Sequence, residues 1–212
     1  IQDNRTLNQA LAYNDPILPV VCLNQEQHQK EWFGWPSLGN YRQQFLFESI
    51  SALQSSCQKL GANLWITTGT MVDVVRTIHN DFKDCRVVFP TVLGHYERIE
   101  EDNVKEFCKQ QDIACASCWD WTLLDDVDIS RVSLGFSSFR KKVEKRMAIA
   151  QVAPTPNHLP AVEHTYTNTK LITSANTSLI LNGGEKAAHQ HMAQYIWESK
   201  ALNHYKQTRN KL

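Results

Sequence analysis

Carboxylates crowd one short stretch of this 212-residue chain: Glu97, Glu100, Glu101 and Asp102 follow closely on an apolar run that ends at Phe89. Carboxylates so placed can do two kinds of work. They can complement the positive end of a helix, worth roughly 0.3–1 kcal/mol per charge, or one of them can face a ligand in the loop beyond a strand. The helix role suits the cluster as a whole, while Glu97, nearest the strand, is better placed for a ligand. Trp32, Trp35, Trp119 and Trp121 also fall in or beside predicted loops at strand ends. Aromatic faces there could sandwich a planar ligand or simply cover the end of a sheet. Arg140, Lys141, Lys142, Lys145 and Arg146 make a basic helix face that could meet phosphates, though a solvated face is the commoner use of such a run.

The remaining reactive residue types are less concentrated. Of the six cysteines, Cys22, Cys57 and Cys85 sit among apolar residues and read as small core side chains. Cys115 and Cys118 form a C-x-x-C, but a zinc site needs a second pair of ligands at matching spacing and a redox pair prefers a helix N-terminus. These two lie along a strand-like run. His28, His79, His158 and His164 are scattered, and His189 and His191, two apart, face different sides of a helix. No metal is expected. There is no G-x-S-x-G elbow, no G-x-x-x-x-G-K-[ST] cradle, no H-E-x-x-H and no G-x-G-x-x-G after a strand, so no residue is assigned a catalytic role.

Composition narrows the class. With 42% hydrophobic and 21% charged residues the chain is ordinary globular protein, long enough for one sizeable domain and an appendage. Its 22 basic and 22 acidic residues cancel, so the overall field argues for neither a nucleic-acid coat nor a membrane surface. The most apolar run, Ile17 to Leu23, falls far short of the roughly 18 residues that span a bilayer. A cytoplasmic, membrane-free protein is the expectation.

Helices and strands alternate along the chain. Asp3 or Asn4 can cap a short helix through Ala12, and Ile17 to Leu23 reads as a buried strand. A polar loop holding Trp32, Trp35 and Pro36 follows. Leu46, Ile50, Leu53, Cys57 and Leu60 recur at spacings of four and three, which predicts a helix from Tyr41 to Leu60 stopped by Gly61. Asn63 to Thr67 is a strand, and Met71, Val75, Ile78 and Phe82 mark a helix face. Arg86 to Phe89 is a strand, Ile99 to Gln111 a helix and Ile113 to Trp119 a strand. Repeated β-α-β units predict an α/β fold, a doubly wound, Rossmann-like parallel sheet with right-handed crossovers and ligands at the carboxyl ends of its strands. The chain opens at a helix, so the strand that should precede it, central in the usual order, is missing. Phe136 to Met147 predicts a basic helix, and Ala148 to Asn182 a long connection rich in Pro, Thr and Asn.

From Gly183 to Leu212 a helical stretch offers Ala187, Met192, Tyr195, Ile196, Leu202 and Tyr205 as apolar surface with nothing downstream to cover it, the look of a fragment. At this point several segments agree. DNRTL (Asp3 to Leu7), LGNYRQQFLFES (Leu38 to Ser49), WDWTLL (Trp119 to Leu124), FSSFRKKVEK (Phe136 to Lys145) and the GGEKAA and YKQTRN segments between Gly183 and Asn210 resemble photolyases and cryptochromes. The DASH branch of cryptochromes is matched best, in order and across nearly the whole chain.

The resemblance implies an antenna α/β domain over residues 1–147 lacking its first strand, an interdomain linker over 148–182, and the first helix of a helical FAD-binding domain over 183–212. It implies that the full-length parent, holding damaged, single-stranded DNA through the missing domain, uses reduced FAD to donate an electron to a pyrimidine dimer flipped out of it, and that this segment alone is inactive. It also implies a light-harvesting antenna, commonly methenyltetrahydrofolate, near His95, Tyr96, Glu97 and Trp119. Direct alignment puts Leu93 where the family carboxylate stands, so a folate would need Glu97 to serve from a shifted loop. Tyr205 and Arg209 match a segment close to the family's flavin region. Two other readings stay open: a light-signalling cryptochrome without repair, and a non-catalytic nucleotide- or partner-binding α/β module.

Overall fold

The computed structural model describes residues 1–24, 31–32, 34–123, 135–146, 149–172 and 181–209. His28, Leu124, Met147 and Asn210 lie outside them. The chain forms two compact units, each discontinuous in sequence: Ile1–Ile17 with Thr70–Pro160, and Leu18–Gly69 with Ala161–Leu212. No described helix is long and apolar enough to cross a membrane.

The first unit holds α1 (Arg5–Ala12), α3 (Met71–Asp81), β5 (Arg86–Pro90), α4 (His95–Gln110), β6 (Ala114–Cys118) and α5 (Phe136–Arg146). Strands β5 and β6 pair in parallel from Arg86↔Ala114 to Pro90↔Cys118. Helix α4 makes the crossover between them, as a parallel pair requires. Val75, Val104, Cys108 and Ile113 form the buried core, with Met71, Val72, Cys85, Val87, Phe89 and Phe107 packed around it. The apolar stripe predicted on α3 is present, but Val74 and Val75 are its most buried members.

The second unit holds β1 (Val20–Leu23), β2 (Glu31–Trp32), β3 (Trp35–Pro36), α2 (Asn40–Lys59), β4 (Trp65–Thr68) and α6 (Glu185–Ala193). It ends with a π-helical turn at Gln194–Glu198, a 3₁₀ turn at Ala201–His204 and α7 (Tyr205–Thr208). Strands β1 and β4 pair in parallel, Val20↔Trp65 to Leu23↔Thr68. The predicted strand from Ile17 is shorter because Pro19 has no N–H to donate; its carbonyl oxygen still accepts from the Trp65 amide at 2.9 Å. The polar loop predicted around Trp32 and Trp35 contains a two-residue antiparallel pair, Glu31↔Pro36 and Trp32↔Trp35.

The fold is α/β with parallel strands, as expected, but among the described residues its parallel ladders are two separate pairs, β1 with β4 and β5 with β6. A second difference lies at the C-terminus, where the sequence predicts one helix. Lys200 takes a left-handed backbone, φ 53°, which a helix of L-residues does not continue through. The amide of Ser199 donates to the Gln194 carbonyl at 2.9 Å, five residues back. The stretch is therefore one helix, α6 with its π-helical end, followed after Lys200 by short turns.

Two helices end in the same way. After α2, the Ala62 amide donates to the Cys57 carbonyl at 3.0 Å and that of Gly61 to Gln58 at 3.1 Å, with Gly61 at φ 96°. After α4, the Ile113 amide donates to Cys108 at 2.8 Å and that of Asp112 to Lys109 at 3.5 Å, with Asp112 at φ 54°. Both are Schellman closures, each seating an apolar residue beside a buried cysteine. The glycine announces the first. The aspartate gives no such signal, since only its local hydrogen bonding makes the left-handed region tolerable.

Candidate functional site at the strand ends

Because Pro90 pairs with Cys118, the segments leaving β5 and β6 emerge at one end of the sheet. These are the segments that carry His95, Tyr96, Glu97 and Trp119. The ladder runs one residue further, with the Thr91 amide donating to the Cys118 carbonyl at 2.7 Å. Leu93 then stands 51% exposed, its side chain offering a ligand no polar atom. Helix α4 begins at His95, four residues before the predicted Ile99, because Gly94 in extended conformation serves as its N-cap. His95, Tyr96 and Glu97 thus form a helical first turn, with the His95 and Tyr96 rings edge to face at 5.3 Å.

The acidic cluster divides by position. Glu97 folds back over Gly94, its carboxyl carbon 2.6 Å from where a Cβ there would stand, and complements the positive end of its own helix. Glu100 Oε1 accepts from the Met71 amide at 3.1 Å, at the start of α3. Glu101 is buried; its Oε2 accepts from the Val92 amide at 3.0 Å, and Lys105 supplies its counter-charge. Two of the four carboxylates therefore hold backbone together.

At the end of β6, the half-buried Trp119 donates its indole N–H to Thr122 Oγ1 at 2.8 Å. Trp121 is 62% exposed. Between them lies a residue that the sequence reading passed over. Asp120 accepts from the Arg5 amide through Oδ1 and from the Thr6 amide through Oδ2, both at 3.0 Å. Asn4 Oδ1 takes the next amide, Leu7, at 2.7 Å, while Asp3 Oδ1 accepts instead from Ala153 at 2.7 Å. Every early amide of α1 is thus satisfied within the chain. The available signal was an aspartate two residues past a strand that packs beside a helix start.

Of the other candidates, Cys118 bonds locally to the Trp119 carbonyl at 3.9 Å, and burial, with Asp120 nearby, raises its thiol pKa. Cys108 is fully buried, and desolvation, reinforced by Cys115 and Cys85, pushes its thiol up to about 12. Both are poor nucleophiles. Among the described residues no three His, Cys, Asp or Glu side chains gather as a metal site. Tyr205 and Arg209 lie in the second unit, Tyr205 54% exposed and its carbonyl accepting from the Arg209 amide at 2.8 Å. That unit also has a cavity of about 130 Å³ lined by Gln54, Gln58, Asn63, Trp65, His164 and Tyr166. It is well below the roughly 300 Å³ at which pockets begin to hold cofactors or drug-sized ligands.

The fold and these strand ends define a parallel α/β architecture whose first helix start carries an internal carboxylate. The DNA photolyase family profile matches residues 1–161, and the chain belongs to that family. Cryptochrome DASH of Gloeobacter violaceus is 26% identical over 224 residues, covering 99% of this chain and 45% of the relative. The crystal structure of a Synechocystis cryptochrome superposes with a TM-score of 0.87 at 26% identity, covering 99% of this chain and 46% of that one. A bacterial class III photolyase from Agrobacterium tumefaciens shares the fold, with a TM-score of 0.77 at 19% identity, over 92% of this chain and 42% of that one. The chain spans just under half the length of these relatives.

Proposed function

We propose that this chain is the antenna and scaffold α/β domain, with the opening segment of the FAD domain, of a blue-light-dependent DNA photolyase or DASH cryptochrome. In the full-length protein, reduced FAD would supply the electron that splits cyclobutane pyrimidine dimers in damaged, single-stranded DNA. The observation that carries the reading is the superposition on a cryptochrome over 99% of this chain but 46% of that one, joined to the family match over residues 1–161. In this reading residues 1–147 are the antenna domain, 148–182 the linker and 183–212 the beginning of the flavin domain, with Tyr205 and Arg209 toward the flavin. A cytoplasmic location belongs to the same proposal.

The antenna chromophore is a separate matter. The Leu93 side chain cannot accept a hydrogen bond, and Glu97 is turned onto its own helix, so the side chains present fit a folate poorly. His95, Tyr96 and Trp119 remain the aromatic groups at the strand ends for some other planar chromophore. The nucleotide-module reading has less support, because the α1 amides that would cradle a phosphate already hold Asp120.

The test is purification of the full-length protein that contains this chain. Flavin absorbance together with blue-light repair of dimers in single-stranded DNA supports the proposal. Flavin without repair supports a signalling cryptochrome, and absence of flavin overturns both. The 212 residues alone are expected to repair nothing.

A further inference from the structure

Beneath α4, in the first unit, three cysteines come together. Cys85 immediately precedes β5, Cys108 sits in the last turn of α4 and Cys115 lies in β6. The ladder sets two of them on one face, because Cys115 pairs with Val87 and Cys85, two residues before Val87, points to the same side. Cys85 and Val87 both pack on the buried core that holds Cys108 and Ile113, so this is the face that α4 covers. The closure of α4 brings in the third. The Ile113 amide donates to the Cys108 carbonyl at 2.8 Å, and Cys115 follows two residues later on the Ile113 side of the strand. There the thiols of Cys108 and Cys115 are in hydrogen-bonding contact. Their access to solvent differs: Cys108 is fully buried, whereas Cys115 is exposed.

We propose that Cys108 and Cys115 are an oxidant-sensitive pair that closes to a disulfide when hydrogen peroxide reaches Cys115. The inference does not rest on the repair reading. It also sets aside the C-x-x-C spacing, since Cys118, three residues after Cys115, points to the other face of β6, and its thiol bonds to the Trp119 carbonyl at 3.9 Å. Cys85 is engaged elsewhere, its Sγ 3.9 Å from His79 Nδ1. The pairing therefore falls to Cys108, whose sulfur must close from hydrogen-bonding contact to the roughly 2 Å of an S–S bond. In the first step the Cys115 thiolate attacks one peroxide oxygen and the O–O bond breaks. Hydroxide leaves and takes up the proton that the thiol gave, so Cys115 becomes a sulfenic acid and one water is formed. The Cys108 sulfur then attacks the Cys115 sulfur, the S–O bond breaks, and the departing hydroxide takes the Cys108 proton as a second water. Two thiols lose two electrons and one peroxide gains them. Burial fixes the order, because the oxidant meets Cys115 first while Cys108 is shielded from it. The bond would fasten the last turn of α4 to β6.

The test is peptide mapping of the full-length protein that contains this chain, with free thiols alkylated and no reductant present, before and after hydrogen peroxide. Trypsin cuts after Lys109, which leaves Cys108 and Cys115 on separate peptides. The expected product is those two peptides joined, two hydrogens lighter than their sum and separated by dithiothreitol. Cys118→Ser should retain the joined product, and Cys115→Ser should abolish it. In Cys108→Ser, Cys115 should instead accumulate as a sulfenic acid trapped by dimedone; if that variant does not fold, the maps of the parent and of Cys118→Ser decide the matter without it. Peroxide treatment that leaves the circular dichroism intact and yields no joined product overturns the inference. So does a joined product that survives in Cys115→Ser, a bond from Cys115 to Cys118 or Cys85, or Cys115 carried on to sulfinic acid with Cys108 still a thiol.

Discussion

Asn168 closes the edge of β4 that faces away from β1, its side-chain Oδ1 accepting from the Ile66 amide at 2.7 Å. Its Nδ2 donates to the Leu64 carbonyl at 3.1 Å, and the next residue, Thr169, donates its amide to the Ile66 carbonyl at 2.7 Å. A single amide side chain thus does for two residues of the edge what a neighbouring strand would do. Tyr166 stacks on Trp65 at 4.2 Å alongside, so this part of the long connection is laid down as an edge cover.

Asn168→Ala removes both bonds from Leu64 and Ile66, which are buried. Because Asn168 itself is exposed, water can reach the freed groups, and the expected cost is about 1 kcal/mol rather than the upper end of the range near 3. Asn168→Asp should cost at least as much, since it presents an acceptor to the Leu64 carbonyl. The measurement is the urea midpoint of each variant at unchanged slope.

Gly183→Ala is expected to be more damaging. A Cβ there would stand 2.7 Å from the Ser49 amide nitrogen and closer still to the Phe45 carbonyl oxygen, both backbone atoms of α2 that cannot turn aside. The start of α6 must lift away, at about 1–3 kcal/mol, breaking the bond from the Gly183 amide to Glu48 Oε2, 2.7 Å in the parent chain. A thermal melt and the Glu48 carboxyl titration should move together.

That titration gives a pH prediction. The Gly183 amide, and after it the Gln44 side chain, hold the Glu48 carboxyl below its ordinary value of 4.5. A depressed folded-state value means stability that is present above pH 4.5 and is lost as pH falls through the lower, folded value. The side chain is largely solvated, so the contribution is small. Glu48→Gln should remove this part of the acid sensitivity, read by comparing thermal midpoints of the two proteins on either side of that pH.

Asp112→Gly should stabilise the chain. At φ 54° the aspartate sits where Gly61 sits after α2, and relieving its left-handed conformation is worth about 0.5–1 kcal/mol after the glycine's extra unfolded-state entropy is allowed for. Asp112→Val should lose more than that. A fall in the melting temperature of the Gly variant would contradict the Schellman assignment.

What was legible in the sequence was whatever repeats along a helix or strand. Ile50 and Cys57 announced the buried face of α2, and Gly61 its end. Asn4 was one of two caps offered and is the one used. What was not legible depended on partners distant in sequence: Asp120 meets Arg5 and Thr6 more than a hundred residues away, and Asn168 meets Ile66 across a similar gap. The start of α4, at His95 rather than Ile99, was hidden for a local reason. Without a capping side chain at Gly94, the helix start was invisible, and a first-turn residue looked like a loop residue.

The carboxylate of Asp120 also has a meaning in terms of competition. Any free phosphate approaching the first turn of α1 must displace a rival fixed to the same molecule, and a tethered group acts at an effective concentration of roughly millimolar or above. Most cellular anions lose such a contest unless they bring large additional contacts. The first turn of α1 thus carries its own permanently tethered competitor for any anion.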